Sequence, residues 1–382
     1  MKQRFFALFL TAALLMSLFA LPVFAEEVEI AAPSAILIDA ATGTVLFEKN
    51  ADERLAPASV TKVMTLLLVM EALDRGKIGW DDMVSASEHA ASKGGSQIYL
   101  EPGEQLCMDE MLKSVVVSSA NDCATALAEY VAGSESAFVE QMNARALELG
   151  MENTHFVNCT GLDDGENADE HLTTARDIAL MSRALLAHED IKKYTTIWTD
   201  TVRGGSFGLS NTNKLVRFYD GTTGLKTGFT QAAGYCLSAS AERDGMELIA
   251  VVMHCETSTD RFSSAKALLN YGFANYAAVT PDLDVTVPPV PVTLGTQEAV
   301  LPVLSDPAPV LVRKEQAASV RRTLRMETEL TAPVAEGQSV GVLTVEADGE
   351  VLKEIPLIAP QTVEKLTFGE IYLHFLRKIC MG

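Results

Sequence analysis

Basic residues are scarce in this chain. Its 382 residues carry 30 Lys plus Arg against 51 Asp plus Glu, a net charge of −21. That balance leaves no one-signed basic patch and argues against nucleic acid as a partner. Histidine is sparse too. His89, His155, His171, His188 and His254 are scattered, and no Cys/His spacing matches a zinc site, so neither a metal nor a cofactor is implied. The six cysteines lack a disulfide pattern. Cys236 and Cys255 fall on one apparent hairpin, but a turn at Asp244-Gly245 sets Met253, not Cys255, opposite Cys236. Cys107 and Cys123 flank an apparent helix–loop–helix, and Cys159 sits in a loop. Buried thiols are therefore expected. Internal repeats and low-complexity tracts are missing, apart from a Pro/Val-rich linker near 280–295.

What is present begins with an address. Lys2 and Arg4 precede a long apolar run that closes on Val23-Phe24-Ala25, before an acidic stretch. Residues 1–25 read as a secretory signal peptide and not as a fold element, with an uncleaved anchor as the alternative. Removing them takes away two basic residues and no acids, so the exported chain is still more acidic. The remainder is too long for one typical domain.

From 26 to about 280 the pattern is strands at both ends around a helical middle, which predicts one α+β domain. "SAILIDAATGTVLFEKN" reads as two strands, and the helix after it runs from Ser59 to near Gly76. Two helices meet at a polar kink, Ser118-Ser119-Ala120-Asn121, and the second closes at Gly133. Thr174, with Asp177 three positions on, opens a further helix. Beyond 222 come "GLKTGFT", "AGYCLSASAE" and "MELIAVVMH" as strands, then a final helix. Residues 281–366 alternate in short strands and predict a small β-sandwich-like domain. In 367–382, Phe368, Ile371, Tyr372, Phe375, Leu376 and Ile379 form an apolar stripe, with Glu370, His374, Arg377 and Lys378 opposite. This helix is too short to span a bilayer and suits its surface; docking on the β domain is the alternative.

Chemistry enters with "APASVTKVMTLLLVMEAL" (56–73). Ser59 and Lys62 are three residues apart, on one face of an otherwise apolar helix. Alone, Ser59 would be a cap and Lys62 a snorkelling cation. Two further motifs change that reading. Ser119-Ala120-Asn121 sits in the kink, and Lys226-Thr227-Gly228 lies within a strand, where an interior glycine marks close approach of a ligand or backbone.

The ordered trio Ser-x-x-Lys, Ser-x-Asn, Lys-Thr-Gly resembles the penicilloyl serine transferases. The surrounding "LFEKNADERLAPASVTKVMT", "VVVSSANDCATALAE", "NCTGL" and "GLKTGFTQAAGYCLSASAERDGMELIAVV" are similar to the D-alanyl-D-alanine carboxypeptidases, the low-molecular-mass penicillin-binding proteins. Ala120 departs from that pattern, where glycine is frequent. The resemblance implies a β-lactamase/transpeptidase-like domain, an antiparallel sheet with a helical cluster. It also implies release of the terminal D-alanine from peptidoglycan stem pentapeptides through an acyl-enzyme, with β-lactams as covalent inhibitors. Ser59 would be the nucleophile and Lys62 its base, neutral in an apolar site beside a second cation, Lys226. Ser119 would relay a proton and Asn121 hold the substrate amide. The N–H groups of Ser59 and Phe229, next to Gly228, would form the oxyanion hole. Thr227 and Arg261 would grip the substrate's free carboxylate. Two alternatives stand beside this reading: a class A-type β-lactamase, against which no Glu-x-x-Leu-Asn is found, and a catalytically silent cell-wall module. The place implied is the outer face of the cytoplasmic membrane, with peripheral attachment through the terminal helix.

Overall fold

The computed structural model describes residues 28–163, 167–281 and 287–372. The signal segment 1–25 and half of the terminal stripe lie outside them. A five-stranded antiparallel sheet organises the first part. Its strands are β1 (Ser34–Asp39), β2 (Val45–Lys49), β3 (Thr222–Thr230), β4 (Gly234–Arg243) and β5 (Met246–Cys255), in the order β2-β1-β5-β4-β3. β4 and β5 close over the two-residue turn Asp244-Gly245, both at positive φ (51° and 74°), the geometry that matches the twist of a hairpin.

Side chains on β1 and β5 alternate between two cores, so the sheet is covered on both faces. Ile36, Ile38, Ile249, Val251 and Met253 face a helical cluster. Leu37, Leu248, Ala250 and Val252 face a single helix, α6 (Ser258–Asn275), whose Thr257 cap accepts the Asp260 N–H. Cys236 belongs to the first core and Cys255 to the second. Leu237 stands opposite Val252 in the register of the turn, and a bulge beyond it sets Tyr235 opposite Cys255, one residue off. The two thiols are thus held apart by the sheet itself.

The cluster comprises α1 (Lys62–Asp74), α2 (Met108–Ser118), α3 (Asn121–Ala132), α4 (Glu135–Glu148) and α5 (Ala175–Leu186). α1 is its axis. Every residue from Lys62 to Leu73 is buried, because helices and sheet enclose it on all sides, which is why its sequence is apolar all round and not amphipathic. α5 opens as expected, with Thr174 accepting the Asp177 N–H.

Beyond α6, the strand Tyr276–Val279 pairs with Val310–Arg313, so the chain crosses position 280 still hydrogen-bonded to the β-rich second part. Two small sheets of three and four strands then enclose Val340, Leu343, Val345, Ile355 and Leu357. At the end, Thr367 and Glu370 exchange capping bonds over a helical turn. Phe368 and Tyr372 on that turn are 86% and 60% exposed, so these two stripe residues do not dock on the β domain. Phe375, Leu376 and Ile379 lie outside the described residues. No described helix is long and apolar enough to cross a membrane.

The burial of α1 makes a test. Leu67, fully enclosed, should cost about 2–5 kcal/mol when cut to alanine, read as a lower denaturation midpoint. An unchanged midpoint would contradict α1 as the axis of the core.

Candidate active site

The segment entering α1 is not yet α-helical. Ala58–Thr61 form a 3₁₀ turn, and Ser59 makes no cap. In a 3₁₀ turn residues i and i+3 eclipse more closely than in an α-helix, which draws Ser59 and Lys62 together. Lys62 Nζ lies 3.0 Å from Ser59 Oγ and 2.7 Å from the Thr160 carbonyl. The lysine is 0% exposed.

β3 forms the opposite wall. A Cβ on Gly228 would stand 2.6 Å from the Pro57 carbonyl and 3.1 Å from Ser59 N. The glycine of Lys-Thr-Gly is thus required by the approach of strand to the Ser59 turn. Lys226, two residues back on the same strand, is 1% exposed and donates to the Thr227 carbonyl at 2.9 Å. Thr227 Oγ1 donates to Thr212 Oγ1 at 2.6 Å. Phe229, next after the glycine, is half exposed and lies against Tyr235.

The third wall is the α2–α3 corner. Ser119 takes a left-handed conformation (φ 62°) that ends α2 and turns the chain into α3. Asn121 Nδ2 donates to the Gly94 carbonyl at 2.7 Å, and its N–H to Ser96. Ala120 is wholly buried at φ −59°, so the methyl group fits and no glycine is needed. Arg261, from α6, donates through Nη1 to the Gly228 carbonyl at 3.0 Å and to the Cys236 carbonyl at 3.4 Å, with its guanidinium over Tyr235. Ser119 Oγ, Asn121 Oδ1 and Arg261 Nε are buried without a hydrogen-bond partner. Buried polar atoms rarely stay unpaired, and three of them on two motif residues and Arg261 are positions open to a polar ligand. No group of three His, Cys, Asp or Glu among the described residues is placed to hold a metal.

Burial sets the electrostatics. It pushes Lys62 down to about 7, with the Asp122 carboxylate acting in the other direction. Lys226 is driven well below the ordinary lysine range, again by burial first, then by the positive charges of Lys62 and Arg261. For Lys62 the cause that lowers the pKa is desolvation, the apolar-site half of the expectation; Lys226, the second cation expected beside it, is not among the causes.

Several contributors carried no side-chain motif. Thr160 acts through its carbonyl, visible in the sequence only as part of "NCTGL". Thr212 reaches the site from the stretch before β3. Asp122, fully buried, accepts the Ile98 and Leu100 N–H groups and fixes the loop that holds Asn121; only its place beside Asn121 hinted at it.

Comparison with known proteins bears on this geometry. Residues 22–257 match the D-alanyl-D-alanine carboxypeptidase family, and residues 284–365 match the penicillin-binding protein 5 C-terminal domain. The chain belongs to the D-alanyl-D-alanine carboxypeptidase family. It is 44% identical over 344 residues to D-alanyl-D-alanine carboxypeptidase DacF of Bacillus subtilis (strain 168), covering 88% of this chain and 87% of that one. Penicillin-binding protein 5 from Haemophilus influenzae superposes with a TM-score of 0.72 at 30% identity, over 88% of this chain and 98% of that one. Penicillin-binding protein D2 from Listeria monocytogenes, in its ampicillin-bound form, gives 0.59 at 31% identity, over 65% of this chain and 99% of that one. The architecture of this family, a mixed α/β catalytic domain followed by a β domain, is the one described above.

Gly228→Ala tests the closeness of the β3 wall. The added methyl must push strand and Ser59 turn apart, and covalent labelling by penicillin should slow by about 100-fold with circular dichroism unchanged. Labelling at the normal rate would show that the contact does not set the geometry.

Proposed function

We propose that this protein is a serine-type D-Ala-D-Ala carboxypeptidase acting through an acyl-enzyme on Ser59, in peptidoglycan remodelling. The observation that carries the reading is the Ser59–Lys62 contact: a hydroxyl 3.0 Å from a fully buried amine whose pKa burial brings to about 7. Near neutral pH a neutral Lys62 donates one N–H to the Thr160 carbonyl and accepts the Ser59 proton on its lone pair. Ser59 Oγ then attacks the carbonyl of the penultimate D-alanine. The N–H groups of Ser59 and Phe229 stabilise the oxyanion. Ser119 passes a proton to the departing amine, and the C–N bond breaks to release D-alanine. Water then cleaves the ester by the same route in reverse order.

The carboxylate of the leaving residue belongs beside Lys226, Thr227 and Arg261. Its negative charge favours the protonated form of Lys226, which in turn disfavours a second charge on Lys62. Substrate binding thereby helps to make the base. A β-lactam, which carries both an amide and a carboxylate, enters the same way and stays as an ester on Ser59. A class A-type β-lactamase would not need the trailing β domain, and a silent module would not need a hydroxyl held 3.0 Å from a buried amine.

The experiment is covalent labelling with fluorescent penicillin together with D-alanine release from a diacetyl-Lys-D-Ala-D-Ala peptide. One adduct is expected, on the peptide containing Ser59, and none in Ser59→Ala. Acylation should rise with pH through an acid limb near 7. Lys62→Arg, which keeps the charge but cannot deprotonate, should lose about 10²–10⁴-fold. Brisk acylation of Lys62→Arg at neutral pH would assign the base elsewhere.

The same reading extends to location. Residues 1–25 export the chain, and the terminal helix rests on the outer face of the cytoplasmic membrane. The capped turn at Thr367 and the outward Phe368 and Tyr372 support this, since apolar side chains left in water gain by entering an interface. The attachment is reversible and peripheral, with the β domain between membrane and active site. Removing residues 367–382 should move the protein from membranes to the soluble fraction with peptide hydrolysis unchanged. Retention in the membrane fraction would transfer the anchor to the N-terminal segment.

A further inference from the structure

The residue before the nucleophile is strained. Ala58 sits at φ 47°, in the left-handed region that alanine avoids, and it is buried. Its peptide is boxed in by two glycines. A Cβ on Gly161 would fall 1.8 Å from the Ala58 carbonyl oxygen, and one on Gly228 would fall 3.1 Å from Ala58 Cβ. That carbonyl oxygen accepts a hydrogen bond from Thr61 Oγ1 at 2.8 Å. Thr61, wholly buried between Ser59 and Lys62, lies 2.8 Å from His171 Nε2.

The direction of this chain is set at its far end. The Val157 N–H points at His171 Nδ1 at 3.2 Å, so Nδ1 must accept. The proton of the neutral ring is then on Nε2 and is donated to Thr61 Oγ1, leaving the threonine proton for the Ala58 carbonyl. Burial holds His171 neutral, with a pKa lowered to about 4 to which the His155 and Lys62 charges also contribute. The ring is fixed edge-on to Phe156, and its segment is stitched to the approach to Ser59 by paired backbone bonds between Thr173 and Leu55. A histidine on a distant loop, 110 residues on in sequence, thus ends a three-membered hydrogen-bond chain on the peptide next to the nucleophile.

We propose that His171 and Thr61 are positioning residues for acylation: their hydrogen-bond chain clamps the Ala58 peptide in its left-handed turn and so sets the line along which Ser59 attacks. Neither side chain needs to touch substrate. The inference rests on Ser59 being the acylated residue.

The test uses the full chain and fluorescent penicillin, separating the initial dissociation constant from the rate constant of acylation. Thr61→Val and His171→Phe should slow acylation by about 10- to 100-fold with little change in the dissociation constant. Thr61→Ser keeps the hydroxyl, and His171→Gln keeps a donor toward Thr61; both should stay close to the parent. The deciding arm is Ala58→Gly. Glycine adopts the left-handed turn without strain, so adding Ala58→Gly to Thr61→Val or to His171→Phe should restore most of the lost rate. A merely structural role would not be rescued in this way. Parent-like rates in Thr61→Val and His171→Phe, or no recovery on adding Ala58→Gly, would overturn the proposal. Should Thr61→Val fail to fold, the His171→Phe pair decides alone. A parent protein that takes no label at Ser59 would instead overturn the functional reading on which this rests.

Discussion

Two lysines without water are the constraint on which the site depends. Lys62 and Lys226 are 0% and 1% exposed, and a buried ammonium is costly unless a counter-charge meets it. No carboxylate bonds to either amine among the described residues; their hydrogen bonds go to Ser59 and to the Thr160 and Thr227 carbonyls. The protein resolves the conflict by lowering the pKa values. For Lys62, a fall from 10.5 to about 7 corresponds to roughly 4–6 kcal/mol of lost preference for the charged form. Between these values the unfolded chain binds the proton and the folded one does not, so stability rises with pH through that window. The strain placed on the fold is the same property that makes an amine available as a base.

Such a site needs a stiff surround. α1 is enclosed on every side, the sheet is covered on both faces, and the amines face the Ser59 hydroxyl and the Thr160 and Thr227 carbonyls. Asp122 holds the loop beneath Asn121 with two N–H bonds, and Arg261 holds β3 at the Gly228 carbonyl. Where side chains would block approach, glycine stands: Gly228 against Pro57 and Gly161 against Ala58. The partners left open are Ser119 Oγ, Asn121 Oδ1 and Arg261 Nε. Rigid walls with a few unsatisfied polar atoms describe a preorganised site, in which little reorganisation is needed when charge develops.

Much of this was legible in the residues. Strand and helix positions came from periodicity, and caps such as Thr174 and turns such as Asp244-Gly245 came from local chemistry. The three motifs singled out the candidate side chains because each is out of keeping with its surroundings: a lysine in an apolar helix, a polar kink between helices, a lysine and a glycine inside a strand. Missing were the contributors that act through backbone or from afar. The Thr160 carbonyl has no side-chain signature, and Thr212 and His171 look like ordinary loop residues. The short strand pairs Met83–Ser85 with Gln105–Cys107 and Thr199–Val202 with Phe207–Ser210 also escaped, since three or four residues carry too little pattern.

The sequence by itself determined the longer elements, the division into an α+β part and a β part, and the candidates for the reacting groups, because each is marked by residues close together in the chain. The tertiary structure decided the rest. It placed Cys236 and Cys255 on opposite faces of one sheet, tightened the start of α1 into a 3₁₀ turn, and assigned the lowered pKa of Lys62 to burial before charge. Desolvation is a property of everything packed around a group, and the Ala58 turn packs against Gly161 and Gly228, each more than a hundred positions away. Neither quantity is local, so neither can be read from a stretch of residues.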